Sequence, residues 1–405
     1  MLPFLKCFTA FTVVVFFISL AKAQTIAVPD GYAEGTTGGG DAAPITVFSA
    51  SAFKSAVGNE NRAVIIVEGM LNVGDVSIGS NKTIVGKDST SGLTGGCVRV
   101  RGSNYIFQNL TIGPSATDAM EVSGATKVFI YRCAFWDGAD GSLDIVRGAD
   151  NITVAWCKFY YVNQTTHLNT ILIGNGDNVT TDAGKLHVTM HHNWFAEKCD
   201  QRMPRVRYGL VHVYNNYYNS KGCLYCIGTG VHCRIRVENS HFDDVNDPWQ
   251  DYSGMSTDGK IGWEGLKFTN GATQPTYAPN SFPVFDPPYS FTLDDVDDVK
   301  TLVQAGAGNV FGNPTGNVLH AVVTAPSTDL AISTCPLSNN LTVLFNGTAS
   351  ESRRIALYSG LGKLIMRENI GNGVGKVEIG PVVKGFYVVR LEGEQGNTIG
   401  TVIRK

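Results

Sequence analysis

The chain has 405 residues, enough to bury one large core and a second small one. A formal net charge of −3 argues against a globally basic nucleic-acid binder or a polybasic membrane-surface protein. With 46 glycines and 17% charged residues, it also lacks the Ala/Glu/Lys/Leu/Arg-rich stretches of a helical protein.

Residues 1–23 read as a cleaved export signal: Lys6, an apolar run from Phe8 to Leu20, and the small-x-small site Ala21-Lys22-Ala23 before Gln24. The run is short for a bilayer span, so a retained anchor is the weaker reading. The mature protein is expected to be exported and soluble, with no membrane span and with cell-surface attachment as the open alternative. Eight cysteines then remain, Cys97, Cys133, Cys157, Cys199, Cys223, Cys226, Cys233 and Cys335. An even count permits disulfides without revealing their connectivity. Cys223-x-x-Cys226 with Cys233 lacks a fourth ligand at zinc spacing, which favours a local disulfide or free buried thiols over a metal site.

Residues 24–320 carry strand-like segments at regular intervals, beginning at Tyr105, Val128, Ile152, Val188, Val211 and Cys233. Aligning them puts Asn109, Cys133, Cys157, Asn193, Asn216 and Asn239 in one column, at intervals of 24, 24, 36, 23 and 23. A period in the twenties marks a solenoid whose coils bury their faces on one another. A regular leucine skeleton is absent, so the expected fold is all-β, a right-handed parallel β-helix. In that fold Asn109, Asn193, Asn216 and Asn239 read as ladder residues at the bends, and His191, His192, His212 and His232 as occupants of strand faces rather than metal ligands. The long interval is expected to hold one extra loop, 165–184.

Composition changes after Asp286-Pro-Pro. Residues 294–306 (DDVDDVKTLVQAG) read as a short amphipathic helix with an acidic start. Residues 321–338 read as a linker and 339–405 as a small C-terminal β-sandwich. The pattern LYSGLGKLIMRE…VKGFYVVRLEGEQGNTIGTVIRK resembles the C-terminal sorting domains of the Bacteroidetes type IX secretion route, which implies secretion machinery as a partner.

Two clusters carry chemistry. Asp118, Asp140 and Asp144 stand at strand ends, with Asp140 and Asp144 bracketing one coil after Asp118. Stacked on one outer face they would repel unless a cation joined them, and hard oxygen donors favour Ca²⁺. The turn Asp200-Gln-Arg-Met-Pro-Arg-Val-Arg207 places three arginines within six residues around a proline, a pattern suited to an anionic oligomer. A solvated basic loop is the plainer alternative.

Across residues 30–290 the chain resembles pectate lyases of polysaccharide lyase family 1. The motifs are Ser80-Asn-Lys-Thr-Ile-Val-Gly, Asp118-Ala-Met, Lys127-Val-Phe-Ile-Tyr-Arg-Cys, Asp140-Gly-Ser-Leu-Asp-Ile, Val188-Thr-Met-His-His-Asn and Arg202-Met-Pro-Arg-Val-Arg. The resemblance implies that Asp118, Asp140 and Asp144 hold Ca²⁺, that Arg202 is the base, and that Arg207 binds substrate or transition state. The reaction it implies is β-elimination in α-1,4-polygalacturonate by a secreted, monomeric enzyme. Guanidinium is not ordinarily deprotonated in a protein, so neighbouring cations must ease its proton loss. The family's second Asp is Ala116 here, and its Asp-His pair is Tyr131-Arg132. Its lysine five residues before the glycine matching Gly174 is Asn169, with His167 or Lys185 as possible replacements. Arg147 and Asn169 complete the expected substrate contacts. Three alternatives stand beside this reading: a calcium-free pectin lyase, which would not need the acidic cluster, a polygalacturonase-like hydrolase using paired carboxylates, and a non-catalytic polysaccharide-binding β-helix.

Overall fold

The computed structural model describes residues 26–251, 258–276 and 279–310, together with strands between Leu330 and Arg404. The expected export signal lies outside these residues. Three parallel sheets run side by side along a β-solenoid. One has ten strands, from Pro44–Val47 to Lys260–Glu264; one has eight, from Val76–Ile78 to Trp249–Asp251; one has nine, from Met70–Asn72 to Lys267–Thr269. Eight coils contribute a strand to all three sheets, so chain neighbours in one sheet are about one period apart in sequence. Among the described residues no helix is long and apolar enough to cross a membrane.

Each strand-like segment read from sequence is two strands with a corner between them. Ser103–Gln108 turns into Thr111–Ile112, Thr126–Tyr131 into Ala134–Trp136, and His187–His191 into Trp194–Phe195. The first corner residue sits in the left-handed region: Asn109, Arg132, Trp156, His192, Asn215 and Asn239 all have positive φ. For a non-glycine residue this costs roughly 1–2 kcal/mol. Asn tolerates the conformation, while the larger residues are held by stacking. Trp156 lies on His192 with ring centroids 4.1 Å apart, and the Arg132 guanidinium lies 5.9 Å from the Trp156 ring.

This geometry corrects the expected asparagine column. Registered pairing aligns Gln108, Tyr131, Ala155, His191, Tyr214 and Glu238. Two positions further on, the ladder proper is Cys133, Cys157, Asn193, Asn216 and Ser240. Asn193 Oδ1 accepts from Cys157 N at 2.9 Å, and Asn216 Oδ1 accepts from Asn193 N at 2.8 Å. Ser240 Oγ accepts from Asn216 N at 3.2 Å. Asn109 and Asn239 belong one position earlier, at the left-handed corner.

The interior is filled by aliphatic rows and one aromatic stack, Phe135, Phe159, Phe195, Tyr218, Phe242 and Phe268, with centroids 4.5–5.5 Å apart. The ten-stranded sheet is covered on its outer side too, as parallel sheets usually are. Tyr32 N and Ala33 N donate to Thr189 Oγ1 and Thr153 Oγ1, fastening the N-terminal segment across it. Helix Val296–Gly306 starts at an Asp295 N-cap and buries Val299, Leu302 and Val303 against the solenoid, matching the expected acidic-start helix. His191 and His212 line the sheet as expected, whereas His192 sits at a left-handed corner and the exposed His232 in the turn before Arg234–Glu238. All four pair with carboxylates: His192 with Asp294 at 2.8 Å, His212 with Glu238 at 2.8 Å, His191 with Asp30 at 3.1 Å and His232 with Asp258 at 2.6 Å.

The long interval is not one loop. Strand Ile171–Ile173 divides it into two excursions, residues 161–170 and 174–186. Beyond the solenoid, Leu330–Cys335, Asn340–Phe345 and Gly375–Pro381 pair antiparallel in one sheet. Arg353–Ser359, Leu364–Ile370, Gly385–Gly393 and Gly396–Arg404 form another. The stretch expected as a linker therefore includes the strand Leu330–Cys335.

Candidate active site

Period-two alternation in the eight-stranded sheet sends one row of side chains outward. In Met120–Ser123 and Leu143–Val146 the second residue faces out while its neighbours are buried. Registered pairing sets Arg99, Glu121, Asp144, Leu172 and Arg205 side by side along that row. Arg205 is thus in the same row as Asp144.

Asp118 and Asp144 form the acidic heart of the site. Burial, then repulsion from Asp140 and Glu121, pushes the Asp118 carboxyl up to about 6. Burial, then Asp118, pushes Asp144 up to about 7. In both cases the Arg202 cation pulls the other way, so Arg202 lies within electrostatic reach of the pair. Gly141 makes room for this arrangement, since a Cβ there would stand 2.8 Å from an Asp118 carboxylate oxygen.

Asp140 stands at the rim. Its side chain is 70% exposed, with the similarly exposed His167 Nδ1 at 4.0 Å. Among the described residues no three carboxylate, thiol or imidazole side chains converge into a preformed metal cluster. The donor chemistry nonetheless suits a hard divalent cation: two half-buried carboxylates crowded by two more.

Neighbouring coils hold the arginine turn through its backbone. Ile171 N donates to Arg202 O at 2.6 Å, Met203 N to Cys226 O at 2.6 Å, and Gly228 N to Pro204 O at 2.9 Å. Arg202 has φ of 61°, and its Nε is buried without an acceptor among the described residues. Arg207 is held differently. Its Nε donates to Asp177 Oδ1 at 2.5 Å and its Nη1 to Gly174 O at 3.4 Å. Gly174 (φ 88°) permits this approach, because a Cβ there would fall 2.6 Å from Arg207 O.

The expected substrate contacts divide. Arg147 reaches the site face with its side chain 57% exposed; its Nη1 donates to Ser123 Oγ at 3.2 Å and lies 3.5 Å from Glu121 Oε2. Asn169 does not face the site. It is 5% exposed and donates from Nδ2 to Asp140 O at 2.8 Å, so its amide anchors the Asp140 loop. Of the possible replacements for the missing lysine, His167 is near Asp140, while Lys185 lies beside Gly148.

Two residues were missed from sequence. Glu121 precedes Asp144 by 23, one coil, and alternates with buried Met120 and Val122, so its place was there to be read. Asp177 gave no such signal, because it lies in the second excursion, outside the repeat.

The pectate lyase family's sequence profile matches residues 5–262. A pectate trisaccharide-lyase of Bacillus licheniformis is 32% identical over 304 residues, covering 68% of this chain and 83% of that protein. Pectate lyase E of Dickeya chrysanthemi is 32% identical over 283 residues, covering 55% of this chain and 72% of that protein. Among solved structures, a mutant of Bacillus subtilis pectate lyase superposes with a TM-score of 0.61 at 23% identity, covering 71% of this chain and 98% of that one. A pectate lyase bound to a hexasaccharide gives a TM-score of 0.61 at 23% identity, covering 72% and 99%. The chain belongs to the pectate lyase family and is a polysaccharide lyase.

Proposed function

We propose that this is a secreted, calcium-dependent pectate lyase that cleaves α-1,4-polygalacturonate by β-elimination, leaving 4,5-unsaturated oligogalacturonates. The observation that supports the reading is that Arg202 lies within electrostatic reach of Asp118 and Asp144, two carboxyls held above the ordinary aspartate range. Asp118, Asp144 and, from the rim, Asp140 would hold Ca²⁺. Bound there, Ca²⁺ would offset the crowded negative charge, draw in the uronate carboxylate and acidify the adjacent C5 proton.

The chain's own residues do the rest. Arg202, whose Nε has no acceptor among the described residues, is the group that takes the C5 proton; the C4–O bond then breaks, its electron pair leaves with the O4 oxygen, which takes a proton from solvent, and the double bond forms between C4 and C5. Arg207, oriented by Asp177, donates to the uronate oxygens as charge builds on them. Arg147 faces a neighbouring uronate. A guanidinium is not ordinarily deprotonated in a protein, so base action requires adjacent positive charge, from bound Ca²⁺ and Arg207, to ease its proton loss. Residues 339–405 are proposed to serve as a secretion sorting domain, a reading that rests on the sequence pattern.

The test is to follow ultraviolet absorbance of the unsaturated uronide during incubation with polygalacturonate, with and without a chelator. Calcium-dependent absorbance is expected. Chelator-resistant absorbance favouring methylated substrate would instead mean a pectin lyase. Reducing ends without absorbance would mean hydrolysis, and no cleavage would leave a binding solenoid.

A further inference from the structure

We propose that Cys223 and Cys226 are a disulfide-forming pair whose oxidation locks the turn carrying Arg202. The bond itself needs only the geometry of the loop; its effect on turnover rests on the role proposed for Arg202.

The two Sγ atoms lie 3.9 Å apart, and the residues are 2% and 0% exposed. A disulfide brings sulfurs to about 2.05 Å with Cβ atoms about 3.5–4.5 Å apart, so closure is mainly a matter of side-chain rotation. The pair is also asymmetric. A hydrogen bond from Cys226 holds the Cys223 thiol below its ordinary value, whereas burial pushes Cys226 well above it. Cys223 is therefore the attacking sulfur. The loop is at the surface, with Leu224 54% exposed and the Lys221 side chain 82% exposed, so a small oxidant needs to reach only one residue deep.

The loop between these cysteines clamps the arginine turn. Leu224 N donates to Asp200 O at 2.7 Å and to Asp200 Oδ1 at 3.0 Å, and Tyr225 N donates to Asp200 O at 3.2 Å. Met203 N donates to Cys226 O at 2.6 Å. Asp200 and Met203 enclose Gln201 and Arg202. Closing a ring over residues 223–226 fixes the donors and the acceptor that hold both ends of that segment.

The oxidant is a low-molecular-weight disulfide such as glutathione disulfide. The Cys223 thiolate attacks one of its sulfurs and expels the first thiol, forming a mixed disulfide. Cys226, after losing its proton, displaces the second thiol. Two protons and two electrons leave the cysteines, and the small disulfide becomes two thiols. Cys199 is the nearby competitor, but its Sγ donates to Phe159 O at 3.2 Å, away from the pair.

Peptide mapping of the full chain reads the bond directly. The protein is incubated with glutathione disulfide or with dithiothreitol, alkylated under denaturing conditions and digested with trypsin. Cleavage after Lys198, Arg202, Lys221 and Arg234 puts Cys199 in residues 199–202 and Cys223, Cys226 and Cys233 in residues 222–234. After oxidation, peptide 222–234 should carry one alkyl group, on Cys233, and be lighter by two hydrogens than its unbridged form. Alkylation at both Cys223 and Cys226, or a bridge from either to Cys199 or Cys233, overturns the pairing. The oxidised protein should melt about 4 °C higher and turn over polygalacturonate about threefold faster at unchanged KM. The Cys223→Ser/Cys226→Ser protein should not respond to either reagent. A bridged protein with the same kcat as the reduced one overturns the locking role. Loss of cleavage in both states counts against the functional reading alone, because the map does not depend on turnover.

Discussion

Arg207 donates from Nε to Asp177 Oδ1 at 2.5 Å, with 12% of the arginine side chain and 33% of the aspartate's exposed. The carboxylate comes from the excursion after Ile171–Ile173, the arginine from the end of the next coil's strand. An otherwise irregular loop thus orients a proposed substrate-binding cation. Tyr208 strengthens the link, its hydroxyl donating to Asp177 O at 2.6 Å.

Asp177→Asn keeps the shape but removes the charge that fixes the guanidinium. Its kcat/KM on polygalacturonate should fall on the order of 10–100-fold with the fold intact, as expected when a positioning contact shifts a reacting group by about an ångström. Steady-state kinetics with circular dichroism check this. Unchanged kinetics would show that Arg207 needs no such anchor.

Arg202→Lys retains a positive charge but replaces the guanidinium with an ammonium that reaches differently. Turnover should drop by about 10²–10⁴-fold, the usual worth of a positioned proton-transfer group. Oligogalacturonate binding, measured by calorimetry, should change little. Near-normal turnover would remove Arg202 from the base role.

Calcium removal should reveal the strain at Asp118 and Asp144. Both folded carboxyls titrate above the ordinary aspartate value near 4, at about 6 and about 7. Between those values the folded chain binds more protons than the unfolded one, so in chelator stability falls as pH rises from about 4 to 7. Added Ca²⁺ should flatten that slope above pH 6. Asp144→Asn should raise the chelator-state melting temperature at pH 8 and lose the calcium response. A chelated protein that grows more stable over this range would contradict the crowding of these carboxyls.

Asn216 is wholly buried; its Oδ1 accepts from Asn193 N, and its Nδ2 donates to Met190 O at 2.8 Å. Asn216→Ala leaves buried backbone groups unpartnered and should cost about 1–3 kcal/mol in urea unfolding. Asn239→Ala, at the corner, should act instead through its left-handed backbone (φ 39°) and its Nδ2 bond to Asp294 O at 2.7 Å. Equal responses to urea and to restoring the corner with Asn239→Gly would erase that distinction.

The coil period, the parallel sheets and the acidic-start helix were legible because each is a local or evenly spaced pattern. The asparagine column slipped by one at Asn109 and Asn239 because a corner has two adjacent positions that suit asparagine. One needs a left-handed backbone and the other a buried amide, and residue type alone does not separate them. Asn169 was misplaced for a related reason: an amide two residues before Ile171 fits a groove or an internal anchor equally well.

By itself the sequence determined the repeat, and with it which residues return to the same face once per coil. That follows because strand period and coil length are set along the chain. Only the tertiary structure decided what crosses between coils: Glu121 beside Asp144, Arg205 in the same outward row, Asp177 on Arg207, and Asn169 turned inward. Those contacts depend on where irregular excursions fold back, and no periodicity encodes the path of a loop.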